Sequence, residues 1–343
     1  KRSWRHGRLV MQIRPLTEAV MKRGQDGQLG LAEAFMAKGL GCNARLEKIA
    51  GLVDWPQFEQ LLSRVRPGET GRPPYRALAM FKALLLQQWY GLSDPGLEEA
   101  LGDRLSFRRF CGFALDETTP DETTLCRFRQ ALIGAGLVDR LLEELNRQLE
   151  GRGLMLKQGT MIDATLVAAQ AKAPAVSADG TAGRSELDGD ANWTRQQRGP
   201  SHFGYKAHIA MDQGSRLIRR ALLTPAKVYE SEVADQLILG DEKAVYADRA
   251  YEHKERRRRL KALGIKDRIM HRSHKHQAGL PHWQRQRNRL IAPIRAGVEH
   301  VFATLKRCYG YRRVRYFRLN RNALQLELLC LALNLRRAAV LTA

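Results

Sequence analysis

The chain has 343 residues, 44% of them hydrophobic, enough for two domains with a core in each. Its formal net charge of +22 is the footprint of a polyanion partner, and the excess is uneven: residues 249–318 carry 21 Lys/Arg against four acids, a net of +17. Five cysteines without a CxxC pair argue against a disulfide framework or zinc cluster, and the apolar stretch Ala323–Leu335 falls short of the about 20 residues that cross a bilayer. Cys42, Cys111, Cys126, Cys308 and Cys330 are therefore expected as reduced, mostly buried thiols of a soluble, cytoplasmic protein. Charge alone does not decide the partner, since ribosomal and membrane-surface proteins are also basic.

The first half reads as helical. Apolar residues recur at helical spacing from Tyr75 to Tyr90 and stop at Gly91. Ser93 or Asp94 caps a second helix to about Leu101, with Pro95 at its start, and a third spans Leu105–Cys111. Asp121 caps a helix through Thr124, Phe128 and Ile133. Gly136 separates it from an amphipathic helix over Leu137–Glu150. Such short helices with tight turns could include a helix-turn-helix. Arg127 and Arg129 then either face phosphates or lie on a solvated face.

Past Gly151 and Gly153 the pattern changes to strands. Thr160–Val167 is β-branched and alternating, and His208–Met211 with Leu217–Leu223 forms a hairpin turning at Asp212–Gly214. Residues 172–201, rich in Ala, Gly, Ser, Asp and Pro, read as a long loop. A helix near Ser231–Leu239 follows, then a strand ending at Asp248, a very basic helix over Lys254–Leu263 and a strand at Ile265–Met270. His271–Arg289 reads as an irregular connection, Pro293 as the start of a helix to Cys308, and Leu324–Leu335 with Asn334 as a final helix on the core. This order describes a mixed α/β sheet with helices on its faces.

Three acids stand out. Asp163 ends the apolar run Thr160-Met161-Ile162, Asp248 ends Ala244-Val245-Tyr246-Ala247, and Glu299 sits on a helix in the most basic region. Carboxylates at strand ends among arginines suit magnesium held against a phosphate, and two-metal phosphoryl transfer needs few other ligands. If the two strands are neighbours, both aspartates emerge at one sheet edge and Glu299 joins them from a crossing helix. Arg295, Glu299, Phe302 and Lys306 share one helix face, a ligand flanked by two phosphate-binding cations. The plainer alternative for that face is i, i+4 salt bridging.

Several stretches resemble a bacterial insertion-sequence DDE transposase, most similar to the insertion-sequence-five family. They are Gly159-Thr-Met-Ile-Asp163-Ala-Thr, Phe203-Gly-Tyr-Lys-Ala-His208, Tyr246-Ala-Asp248-Arg-Ala-Tyr251, Arg295-Ala-Gly-Val-Glu299-His-Val-Phe and Leu305-Lys306-Arg. Residues Arg72–Leu132 resemble that family's amino-terminal domain. The resemblance, over about residues 70–337, implies an RNase H-like mixed-sheet catalytic domain over 154–343, preceded by an all-α DNA-binding and dimerisation domain over 1–153. It implies Asp163, Asp248 and Glu299 as catalytic ligands of Mg²⁺, for which Mn²⁺ can substitute. Arg295 and Lys306 would hold the phosphate backbone of double-stranded DNA at terminal inverted repeats and target, in a homodimer on the bacterial nucleoid. Where related transposases carry a tyrosine before Arg295, this chain has Ala292, so that residue's contribution to holding DNA ends is missing.

Further candidates for DNA contact are Lys206, His208, Arg249, Tyr251, Arg256, Arg257, Arg312 and Arg313. Such contacts supply affinity more than sequence reading. Trp193 either stacks on unpaired bases or docks on the domain surface. His271, His274, His276 and His282 lack cysteine partners and sit among arginines, which disfavours zinc. Two rival functions share these features: a nuclease or resolvase of the same fold without strand transfer, and a transposase-derived DNA-binding regulator.

Overall fold

The computed structural model describes residues 39–65, 74–175, 183–195, 200–273 and 279–342. Among the described residues seven helices come first: α1 (Ala44–Leu52), α2 (Trp55–Leu62), α3 (Ala77–Tyr90), α4 (Asp94–Asp103), α5 (Leu105–Cys111), α6 (Glu122–Gly134) and α7 (Val138–Gly151). The last five follow the sequence expectation, and their caps show why. Ser93 Oγ accepts from Gly96 N at 3.1 Å, Asp121 Oδ1 accepts from Thr124 N at 2.6 Å, and Gly91 closes α3 in the left-handed conformation. Helices α1 and α2 were not anticipated.

Arg129 is not on a solvated face. It is buried, its guanidinium grips both oxygens of Asp94, and it stacks 4.9 Å over the Tyr316 ring. Arg127 is exposed.

A six-stranded mixed sheet follows. Its strands are β1 (Thr160–Ala168), β2 (Asn192–Arg195), β3 (Ser201–Asp212), β4 (Ile218–Pro225), β5 (Ala244–Ala247) and β6 (Lys266–Ile269). The order is β2-β3-β1-β5-β6, with β4 also paired to β3. Strands β1, β3 and β4 are antiparallel, whereas β1, β5 and β6 run parallel. An antiparallel meander extended by parallel strands, with helices on both faces, is the RNase H-like arrangement. Strand β2 corrects the reading of 172–201 as one long loop. Four residues amid small and polar neighbours are too short for a periodicity signal, and only pairing with Ser201–Gly204 makes them a strand. Gly204 is required here: a Cβ would stand 2.6 Å from the Ala169 nitrogen, and closer to the Val167 carbonyl oxygen.

The parallel half brings α8 (Glu230–Leu237), a 3₁₀ turn (Arg249–Tyr251), α9 (Lys254–Ala262), α10 (His282–Arg295), α11 (Gly297–Cys308) and α12 (Leu319–Leu341). Two expectations need correction. The segment before Arg289 is not irregular, because α10 begins at His282. Pro293 does not start a helix; it lies near the end of α10, which stops two residues later. The helix escaped detection because Ile291 is its only buried residue. Side chain–backbone bonds hold it instead: Asn288 exchanges bonds of 2.8 and 3.0 Å with the His271 backbone, and Arg287 donates to Ile269 O at 2.9 Å. These contacts also satisfy the exit of the edge strand β6.

One core runs from Leu46 through the helices to β1, β3, β4, α11 and α12, and a second lies under α8, α9 and the opposite sheet face. Helix α12 is buried on most sides. Its Asn334 stands in for a strand neighbour, accepting from Ile218 N and donating to Ile218 O, both at 2.8 Å. Cys111 and Cys330 are buried, but Cys42, Cys126 and Cys308 are exposed, against the expectation that most would be buried. Among the described residues no helix is long and apolar enough to cross a membrane.

Candidate active site

Strand β1 pairs with β5 through Thr160↔Val245 and Met161↔Tyr246. Carried forward two residues, that register sets Asp248 level with Asp163. Asp163 does not end its strand, as expected, but lies in its middle. It marks the point where β5 stops and β1 runs on with an open edge until Ala168, which the Arg312–Val314 backbone bridges. Asp248 caps the 3₁₀ turn, its Oδ1 accepting from Ala250 N at 2.8 Å. Its other oxygen has no protein partner among the described residues.

Helix α11 crosses this edge closely because it begins with Gly297, where a Cβ would come 3.1 Å from Met161 Sδ. Glu299 lies in its first turn, exposed, and joins Asp163 through a cation. Arg295 Nη1 stands 3.0 Å from Asp163 Oδ2, and Nη2 bonds Glu299 Oε1. The plainer alternative for this face, i, i+4 salt bridging, is thus present between Arg295 and Glu299, and the same guanidinium also holds Asp163. Among the described residues no group of three or more His, Cys, Asp or Glu side chains is placed to hold a metal ion as it stands. Arg295 ends α10 while Glu299 and Lys306 lie on α11, so the single helix expected to carry all three is divided at Ala296; Lys306 donates to Thr165 Oγ1 at 2.6 Å.

Burial pushes the Asp163 carboxyl up to about 6, and the charges of Asp248 and Glu230 add to the effect. The Ala164 N–H and Arg295 pull it down. Glu230, which opens α8, escaped the sequence reading because an acid in a helix's first turn is ordinary there. It too is raised, by burial and by Asp248, against the pull of Lys206, which it meets at 3.5 Å. The candidate acids Asp163, Asp248 and Glu299 offer hard oxygen donors of the kind that suits a divalent cation such as Mg²⁺.

A groove of about 980 Å³ opens along the free edge of β1, with Lys206, Tyr229, Glu230, Arg272, Lys306 and Arg312 in its walls. Trp193 also lines it, its ring packed 5.4 Å from Phe203. Of the cations assigned to DNA, Arg249, Arg312 and Arg313 are exposed. Others turn inward. Lys206 is buried and donates to Val228 O at 2.9 Å. His208 is buried against Thr224 Oγ1 at 2.9 Å, and desolvation lowers it to about 3, so it stays neutral. Tyr251 is fully buried, Arg256 ties Tyr251 O and Ser231 O to Asp235, and half-buried Arg257 pairs with Glu252 and Asp267. Proximity to Asp248 in sequence does not show which way a side chain turns. His271 pairs with Glu252 at 3.4 Å and packs against Trp283; His274 and His276 lie outside the described residues.

The family model described as transposase DDE domain matches residues 155–335, and that described as transposase domain (DUF772) matches residues 37–131. Among solved structures, the chain is similar to a piggyBac transposase synaptic complex with hairpin DNA, at 12% identity and a TM-score of 0.40, covering 87% of this chain and 72% of that one. It also matches a Mos1 transposase paired-end complex with left transposon end, at 12% identity and a TM-score of 0.19, covering 77% and 86%.

Proposed function

Because the chain belongs to the transposase DDE domain family, and so is a DNA transposase, we propose that it cuts the terminal inverted repeats of an insertion sequence and joins the freed 3′ ends to target DNA. The observation that carries this reading is the level placement of Asp163 and Asp248 at the open edge of β1, with Glu299 brought in by Arg295. Asp163, Asp248 and Glu299 would hold Mg²⁺, or Mn²⁺ in its place. The bound cations would supply Lewis-acid activation of the nucleophile and neutralise charge developing at phosphorus.

The chain's own residues supply positioning. Arg295 keeps Asp163 and Glu299 together without metal and would meet the scissile phosphate from there. Lys306, lowered by burial and by Arg312, sits on the groove wall to meet the backbone on one side. Arg249, Arg312 and Arg313 add sequence-independent attraction. Both steps are in-line displacements at phosphorus, first by water and then by a 3′ hydroxyl, so one acidic site serves both. The helical domain over 1–153 would recognise the ends and the catalytic domain over 154–343 would cut them, on the nucleoid. Two ends call for two sites, hence a homodimer.

The test is Mg²⁺-dependent cleavage of candidate terminal repeats by wild type, Asp163→Asn, Asp248→Asn and Glu299→Gln, with a supercoiled target present. Each substitution should abolish cutting while sparing DNA binding, and joined product should form only with wild type. Normal cutting by a variant removes that residue from the site. Hydrolysis without joining replaces transposition by a nuclease activity.

A further inference from the structure

Helix α11 has two open sides. Lys306 lines the groove along β1, whereas His300, Thr304 and Cys308, a stripe at i, i+4 and i+8, line a separate hollow of about 280 Å³. The two share no lining residue. Arg216, in the turn between β3 and β4, closes the hollow on one side, and Arg336 and Arg337 of α12 close it on another. No acid lines it among the described residues.

Three arginines thus meet in one place, and the ordinary structural reasons for arginine do not account for them. Arg336 Nη1 donates to the Tyr309 hydroxyl at 3.3 Å and Arg337 Nε to Ser215 O at 2.9 Å, and none of the three forms an ion pair among the described residues. Both partners are neutral, so they aim the guanidinium groups without cancelling their charge. Nor do these cations answer the negative end of α12, whose last turn carries no basic residue. Arg216 adds a backbone observation. Its φ of 62° lies in the left-handed region, where glycine or asparagine is at ease and arginine is strained. The turn holds it there: Asp212 Oδ2 accepts from Ser215 N and from Ser215 Oγ, both at 2.8 Å. A strained, exposed cation that packing does not need points to a ligand.

We propose that Arg216, Arg336 and Arg337 form a second DNA contact, which takes the phosphate backbone of duplex passing the side of α11 that does not line the cleavage groove. A guanidinium fork meets two phosphate oxygens at once, and a hollow rimmed by such forks without a competing acid is complementary to that ligand. The contact supplies affinity and orientation, and reads no sequence. It lies outside the groove and does not depend on Asp163, Asp248 and Glu299 being metal ligands.

The test is binding of the full chain, without divalent cation, to a fluorescent random-sequence DNA duplex over a range of salt concentrations, with melting temperatures alongside. Each lost phosphate contact lowers the slope of log affinity against log salt by about 0.9. Arg216→Gly should lose about that much while melting at or above wild type, because glycine relieves the backbone strain. Combining it with Arg337→Gln should about double the loss. Arg216→Lys, which keeps the charge, should keep the wild-type slope. So should Arg140→Ala, which removes an exposed arginine of α7. An unchanged slope in Arg216→Gly overturns the proposal. An equal loss in Arg140→Ala also overturns it, because net charge alone would then be at work. A wild type that binds this duplex with the expected slopes but cuts nothing with Mg²⁺ would strike the acidic-site reading and leave this surface standing.

Discussion

Arg295 Nη1 lies 3.0 Å from Asp163 Oδ2 although 132 positions separate the two residues. The same guanidinium holds Glu299, so a single cation occupies the centre of charge that a metal site needs. Removing it should therefore split two properties. Arg295→Gln is expected to bind Mn²⁺ more tightly than wild type, because a competing positive charge is gone. DNA cleavage should fall by about 100-fold, the scale of losing one electrostatic donor at a reacting centre. Metal calorimetry and single-turnover cleavage together check this; parallel changes in both would contradict it.

Helix α6 is tied to α4 by a pair that is sealed on one side only, with the Arg129 side chain 6% exposed and Asp94 24%. Gln87 adds a 2.6 Å bond to the same carboxylate. Arg129→Ala should cost about 2–3 kcal/mol in urea unfolding, below the 3–5 kcal/mol of fully buried pairs because water still reaches Asp94. A loss below about 0.5 kcal/mol would reclassify the pair as a surface contact.

Glu327 lies buried on α12, and burial holds its carboxyl well above the ordinary 4.5, with Asp139 and Glu143 adding to the effect and Arg220 opposing it. The folded chain keeps this proton after the unfolded chain has lost it. Stability contributed here is thus intact below about pH 4.5 and declines as pH rises from there towards the folded value. Glu327→Gln should melt like wild type near about pH 4 and above it near about pH 8. Equal melting at both would show that Glu327 is charged and paired.

Gly204 allows β3 to pass against the Val167–Ala169 backbone. Gly204→Ala should destabilise by about 1–3 kcal/mol from overpacking, with backbone strain added, and should disturb β1 just past Asp163. Thermal unfolding gives the first effect. Loss of Mg²⁺-dependent cleavage at temperatures where the variant remains folded gives the second.

Much of the molecule was legible before its coordinates. The caps at Ser93 and Asp121, the stop at Gly91, the hairpin after Asp212 and the run into Asp248 are local signals, set by φ preferences, side-chain oxygens near free N–H groups, and apolar spacing. Elements held by distant partners were not legible. Helix α10 rests on the bonds of Arg287 and Asn288 to the β6 exit, and β2 exists only through pairing with β3.

By itself the amino-acid order determined the helical-then-sheet plan and the strong positive charge, and it picked out Asp163, Asp248 and Glu299 as the candidate acids. Each depends on residue type and near neighbours. Tertiary structure alone decided that Asp163 sits mid-strand at an open edge, that Arg295 rather than empty space joins it to Glu299, and that Lys206, His208 and Arg256 turn inward. Those outcomes follow from strand register and burial, which are set by contacts between residues tens to more than a hundred positions apart and leave no trace in a local window of the chain.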